Sequence, residues 1–168
     1  MKRLFFALEP DPALRQLISA VSEQLPQTVG QLVPAKNLHS TLVFLGQVSA
    51  EQQLTLTEFA EKLAISKIQI VFNQISFWKQ PGILCLSCSD CPPEVAEFVA
   101  QLSQLAKKLG LSVDDQPFKP HITLVRKAKA LPSFEFKPIH WQITHFCLFE
   151  SCSMPDGVEY RVLNRWGM

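Results

Sequence analysis

Leu4 to Leu8 form an unbroken apolar run between Arg3 and Glu9, which predicts a buried strand. Asp11 and Pro12 then mark a helix start with proline at the first helical position, and Leu14, Leu17, Ile18, Val21 and Leu25 recur on one face. After a loop through Pro34 to Asn37, the segment Leu38 to Leu45 is rich in Thr, Val and Phe and reads as a strand ended by Gly46. Ala50 to Leu63 reads as a helix. Lys67 to Trp78 alternates at Ile68, Ile70 and Phe72, then resumes in the other phase at Ile75 and Phe77, and the skip near Asn73 predicts a bulge or bend.

The same order then starts again. Ile83 to Ser87 is a strand; Pro92 or Pro93 opens a helix carrying Val95, Phe98, Val99, Leu102, Leu105 and Leu109, closed by Gly110. A loop with Asp114 to Pro117 leads to a further strand over Pro120 to Val125. The step from Leu4 to His39 is 35 residues and that from Ile83 to His121 is 38, so strand, helix, loop and histidine-bearing strand recur at nearly equal spacing. The repeat is imperfect: no helix is evident after Lys127. Phe134 to Glu150 and Val158 to Trp166 read as strands, with a turn at Pro155 to Gly157.

Composition narrows the function classes. Of 168 residues 47% are hydrophobic and 18% charged, enough apolar content for one domain, or two small lobes, with its own core. The net charge of +1 argues against binding nucleic acid through a broad basic field, so an anionic substrate would be held locally. The apolar run at the start stops at Glu9, too short for a secretory signal, and no stretch approaches the ~18 apolar residues of a membrane span. A soluble, cytoplasmic protein is expected. The odd number of five cysteines fits reduced thiols in such a compartment.

Two of the four histidines stand at matching places in the repeats, in His39-Ser40-Thr41-Leu42 and His121-Ile122-Thr123-Leu124. On a strand, residues i and i+2 share a face, so each motif presents an imidazole and a hydroxyl together. If the repeats pack about a pseudo-twofold axis, the two pairs meet, giving one imidazole as acid, the other as base, and two hydroxyl donors for non-bridging oxygens. That set suits in-line displacement at a phosphodiester. A single histidine in a strand is usually structural, and His140 and His145, which lack this context, are assigned so. Cys85, Cys88 and Cys91 have the C-x2-C-x2-C spacing of a metal-binding run. No fourth cysteine follows where Val95 stands, and residues 85 and 88 would face opposite ways on a continued strand. Cys147 or Cys152 would have to complete the set; small apolar thiols fit better.

At these motifs the chain resembles the two-histidine phosphoesterases, and most closely the RNA 2',3'-cyclic phosphodiesterases, the LigT-like or 2'-5' RNA ligase family. The resemblance runs through Arg3 to Leu8, Asn37 to Leu42 with Phe44-Leu45-Gly46, Phe118 to Leu124 with Arg126, and a tail with Tyr160 and Leu163. Gln31-Leu32-Val33 departs from it, since relatives often carry Arg and Trp there. The resemblance implies an α+β, bilobal fold, with two pseudo-symmetric lobes whose antiparallel sheets line a central cleft and helices outside. Residues 1–168 would be one domain, the halves meeting near residue 80. It implies hydrolysis of an RNA 2',3'-cyclic phosphate to a 2'-phosphomonoester by a monomer, without metal or cofactor. His39 would be proton donor, His121 proton acceptor, and Thr41 and Thr123 the holders of the phosphoryl oxygens. The residues themselves leave the acid and base interchangeable. Arg126 would help hold the phosphate, although its odd separation from His121 places it on the opposite face of a regular strand; only a bulge or strand end near Val125 turns it into the cleft. Partners would be RNA ends or nucleotide 2',3'-cyclic phosphates and no membrane. The rival readings are 2'-5' RNA ligase or 2'-5' phosphodiesterase action, cleavage of a small cyclic nucleotide, and a non-catalytic RNA-end binding module.

Overall fold

The computed structural model describes residues 1–63, 68–155 and 157–167. Its elements follow the expected order: β1 (Lys2–Leu8), α1 (Pro12–Glu23), β2 (Gln31–Leu32), β3 (Ser40–Val48), α2 (Ala50–Ala60), β4 (Ile68–Phe72), β5 (Gln74–Trp78), β6 (Ile83–Ser87), α3 (Pro93–Lys108), β7 (His121–Arg126), β8 (Ile139–Ile143), β9 (His145–Met154) and β10 (Gly157–Gly167). Lys67, the expected start of a strand, and Asp156, in the expected turn, lie outside the described residues.

Among the described residues, three antiparallel sheets result. One has the order β10-β9-β1-β3, a second β2-β7-β6-β5, and β4 pairs with β8 in a third. Each histidine motif thus borders its repeat's opening strand, β3 on β1 and β7 on β6. The sheets do not coincide with halves divided near residue 80, because the halves exchange strands. β4 and β8 pair with each other, and the strands that follow them cross over: β5 joins the second sheet, and β9 and β10 join the first. Residue 80 falls between β5 and β6, which pair within one sheet, and is not a boundary between sheets.

Local chemistry explains the elements. Asp11 accepts the backbone N–H of Leu14 at 2.8 Å and caps α1, whose Leu14, Ile18 and Val21 are buried. Leu17 differs from expectation: it sits at the edge of the apolar stripe and is 58% exposed. Ser49 and Gln52 form a reciprocal capping box on α2, which ends at Ala60, short of the expected Leu63. The phase skip at Asn73 is the crossing from the third sheet to the second; β4 buries Ile68, Ile70 and Phe72 in alternation, whereas β5 is half-buried from Ile75 to Trp78. Gly46 does not end β3. It takes φ +69 within the strand, where Leu4 faces Gly46 and Phe5 faces Phe44, so Leu45 is the extra residue of a bulge. Residues 134–138 are not strand.

Leu4, Phe6 and Leu8 of β1 join Leu84 and Leu86 of β6, and residues of all three helices, in one main core. The opposite face of β1 behaves differently. Phe5 and Ala7 form a separate small cluster with Cys147 and Phe149, flanked by Tyr160 and Val162. Against that face His39 sits.

Candidate active site

His39 precedes the first residue of β3, and the Asn37 carbonyl accepts a hydrogen bond from its Nδ1–H at 2.7 Å. A carbonyl can only accept, so the proton is on Nδ1 and Nε2 holds the lone pair. The Thr41 hydroxyl lies 3.0 Å from that Nε2 and donates to it. Phe5, Phe149 and Tyr160 surround the ring at centroid distances of 5.1, 6.1 and 4.8 Å, Tyr160 with its edge. Burial among these rings is the main reason the pKa of His39 falls to about 4, against the opposing effect of the Asn37 carbonyl. Positive charge on His121, Arg126 and Arg15 adds to the depression.

The second repeat reproduces the device. His121 Nδ1–H donates to the Lys119 carbonyl at 2.8 Å, again two residues upstream, which leaves Nε2 as the nitrogen available to a substrate. The Trp78 ring packs on His121 with centroids 4.6 Å apart. Burial lowers the pKa of His121 too, and the Lys119 carbonyl opposes that shift. Thr123 lies on the same strand face, opposite Cys85, as His121 lies opposite Ser87.

The register of β7 resolves the difficulty over Arg126. Ser87, Cys85 and Ile83 of β6, each two residues apart, face His121, Thr123 and Arg126. Between Thr123 and Arg126, β7 therefore spends three residues on two of its partner, and Leu124 and Val125 are both buried. The bulge returns Arg126 to the face that bears His121. Its guanidinium reaches the Tyr160 hydroxyl at 3.4 Å, so Arg126 of the second sheet, Tyr160 of the first and His39 form one chain of contacts. Gln31 and Leu32, the segment that departs from the expected pattern, pair with Arg126 and Val125 as an edge strand beside the site.

The sheet arrangement accounts for the near-symmetry of the chemistry, and the likeness to known proteins is equally twofold. The family model described as LigT like Phosphoesterase matches the chain twice in succession, over residues 7–85 and 86–160, with one histidine motif in each match. The chain belongs to the LigT-like phosphoesterase family. Among LigT-like relatives, the RNA 2',3'-cyclic phosphodiesterase of Escherichia coli (strain K12) is 29% identical over 170 residues, spanning 99% of this chain and 97% of its own. That of Archaeoglobus fulgidus is 27% identical over 134 residues, covering 77% of this chain and 75% of its own. The crystal structure of E. coli LigT complexed with 3'-AMP superposes with a TM-score of 0.88 at 28% identity, covering 99% of this chain and 98% of that one. The α+β fold with antiparallel sheets and helices is thus the LigT fold.

The remaining candidates fall elsewhere. Cys85 is fully buried on β6, where burial pushes its thiol up to about 12, and Cys88 and Cys91 line a cavity beside the site. Among the described residues, one group brings metal-type ligand atoms within 4.8 Å of one another: Glu9, His145 and Cys147, not the C-x2-C-x2-C run. The Glu9 carboxylate there is held by the Arg165 guanidinium. His140 is exposed on β8. Sequence reasoning did not single out Trp78, Phe5 or Phe149 around the histidines. Trp78 had a signal, since Gln74, Ser76 and Trp78 put polar and amphipathic residues on one face of β5 while Ile75 and Phe77 take the other.

Proposed function

We propose that this chain hydrolyses 2',3'-cyclic phosphate ends of RNA to 2'-phosphomonoesters, with His39 and His121 as the acid and base. The observation that carries the reading is the duplicated imidazole device, in which each Nδ1–H is spent on a backbone carbonyl and each Nε2 is left for chemistry. A binding site alone has no need to fix two tautomers in this way.

In the reaction, a water oxygen attacks phosphorus in line with the ribose O3'. His121 Nε2 takes a proton from that water as the new P–O bond forms. The P–O3' bond breaks, and O3' takes the proton carried by the His39 imidazolium, leaving a 2'-phosphate and a free 3'-hydroxyl. A pKa near 4 makes His39 a poor proton carrier in the free protein. A phosphodiester anion beside the His39 imidazole counters the charge of Arg126 and favours the imidazolium, raising that pKa where the acid is needed. When His39 is protonated its Nε2 can no longer accept from Thr41, so the Thr41 hydroxyl turns its O–H toward a phosphoryl oxygen and the Nε2–H is left for O3'. Thr123 serves the other oxygen, and the fork of Arg126 suits both in bidentate fashion.

The donor set of two imidazoles, two hydroxyls and a guanidinium holds no carboxylate or thiolate, so the proposed chemistry runs without a metal. The test is incubation of the purified protein, with and without chelator, with an oligonucleotide ending in a 2',3'-cyclic phosphate. A chelator-insensitive product with its phosphate on the 2' oxygen is expected. Binding without turnover would leave an RNA-end binding module.

A further inference from the structure

Next to His121 lies a cavity of about 280 Å³ that the hydrolysis just described does not use. Gln74, Ser76 and Trp78 form one wall from β5, Ser87, Cys88 and Ser89 a second, and Lys119 stands at the rim. It is tied to the catalytic machinery at three points. Ser87 is the register partner of His121, the Lys119 carbonyl accepts from His121 Nδ1, and the Trp78 ring packs on the imidazole.

The lining matches one ligand class. A half-buried indole offers a flat apolar face on which any base can stack. Around it stand the Gln74 amide and the paired hydroxyls of Ser76 and Ser87, 2.6 Å apart, neutral groups that both donate and accept as a base edge or a ribose hydroxyl requires. Lys119, exposed at the mouth, adds a single charge for a phosphodiester. The volume of about 280 Å³ falls just under the ~300–1,000 Å³ of ligand pockets, suited to no more than a single nucleoside. By contrast the pocket beside His39, lined by Glu9, Arg15 and Tyr160 among others, has about 10 Å³, space for little more than a water.

We propose that the cavity walled by Gln74, Ser76, Trp78 and Ser87 is a nucleoside subsite for the RNA nucleotide next to the one bearing the cyclic phosphate. It rests on the reading of the cleft as a cyclic phosphodiesterase site, and it makes an RNA end of two or more nucleotides the preferred substrate over a mononucleotide.

Two measurements separate the subsite from the reading beneath it. Calorimetry compares binding of 2'-AMP with that of the dinucleotide ApA carrying a terminal 2'-phosphate; steady-state kinetics compares the two corresponding 2',3'-cyclic phosphates. The dinucleotide is expected to bind about tenfold or more tightly and to have the lower KM, the gain typical of one stacked base. Trp78→Ala and Gln74→Ala should each bring both ratios toward one. Equal affinities in the wild type would overturn the subsite, as would a Trp78→Ala loss that falls equally on both substrates, which would leave Trp78 as support for His121 alone. If the binding preference holds while neither cyclic phosphate is hydrolysed, the subsite stands and the catalytic reading fails.

Discussion

A β-carbon built on Gly30 would lie 2.6 Å from the carbonyl oxygen of Arg126 and 2.7 Å from Cγ1 of Val125. Gly30 also has φ +156, which side chains seldom adopt. Glycine is what lets β2 lie against β7 at the bulge, and that bulge aims Arg126. Gly30→Ala should therefore push on backbone that cannot give. The expected cost is about 1–3 kcal/mol of stability, the range for a strained backbone position, with a fall in catalytic efficiency. Urea denaturation and steady-state kinetics check both. Because Gly30 would act through Arg126, the catalytic loss should shrink when Gly30→Ala is added to Arg126→Ala; full additivity would detach it from the site.

The burial of His39 also predicts how stability depends on pH. In the unfolded chain a histidine takes a proton near pH 6.5, whereas folded His39 resists until about 4. Between those values the unfolded state binds more protons, so the contribution of His39 to stability is complete above pH 6.5 and is lost as pH falls toward 4. Each step of one in pH across that window is worth ~1.4 kcal/mol, so on the order of 2 kcal/mol should be gone by about pH 5. His121 acts in the same direction. Denaturation of His39→Gln at about pH 7 and about pH 5 should show a smaller acid loss than the wild type. Parallel losses would mean that His39 is solvated in the folded protein.

For catalysis, His39→Ala and His121→Ala should each reduce turnover by roughly 10²–10⁴-fold, the usual contribution of general acid–base catalysis, and the double variant should lose little more. The wild-type rate should be bell-shaped in pH, with apparent values that belong to the coupled pair. The threonines should differ. Thr41 touches His39 Nε2 at 3.0 Å, whereas no such bond joins Thr123 to His121 among the described residues. Thr41→Val should lower kcat and move one limb of the pH profile, while Thr123→Val should weaken phosphate holding with the profile in place. Identical profiles for both variants would reduce Thr41 to an oxygen holder.

The parts of the fold visible in the sequence were those governed by local pattern. Leu4 to Leu8, the stripe of α1 and the His-x-Thr pairs follow from neighbours within a few residues, and so the repeat could be counted. What depended on partners far along the chain could not. Asn73 carries no mark that distinguishes a bulge from a strand passing into another sheet, and Gly46 resembles a terminator until Leu4 is placed opposite it. The strand exchange that brings Tyr160 of β10 against His39 of the other repeat spans over a hundred residues, and its signal is a lone tyrosine in a tail. Trp78 was missed for the same reason: its partner is His121, across two strands.

Arg126 shows how far a register can decide a function. Counting from His121 puts it on the wrong face; counting from Ser87, Cys85 and Ile83 across the ladder puts it on the right one. Its hydroxyl partner at 3.4 Å is a long hydrogen bond on an exposed side chain, so the guanidinium is free to leave Tyr160 for an arriving phosphate. What it would supply is a planar pair of donors, which lysine lacks. Arg126→Lys keeps the charge that helps depress the pKa of His39 and loses the bidentate geometry. Catalytic efficiency should therefore fall several-fold to about a hundredfold, ~1–3 kcal/mol for charged hydrogen bonds, with the acid limb of the pH profile little moved. Arg126→Ala removes both effects: the efficiency should fall further, and the acid-side pKa of the free protein should rise because a repelling charge has gone. Wild-type efficiency in both variants would take Arg126 out of the site, and the two His-x-Thr pairs would then hold the phosphate alone.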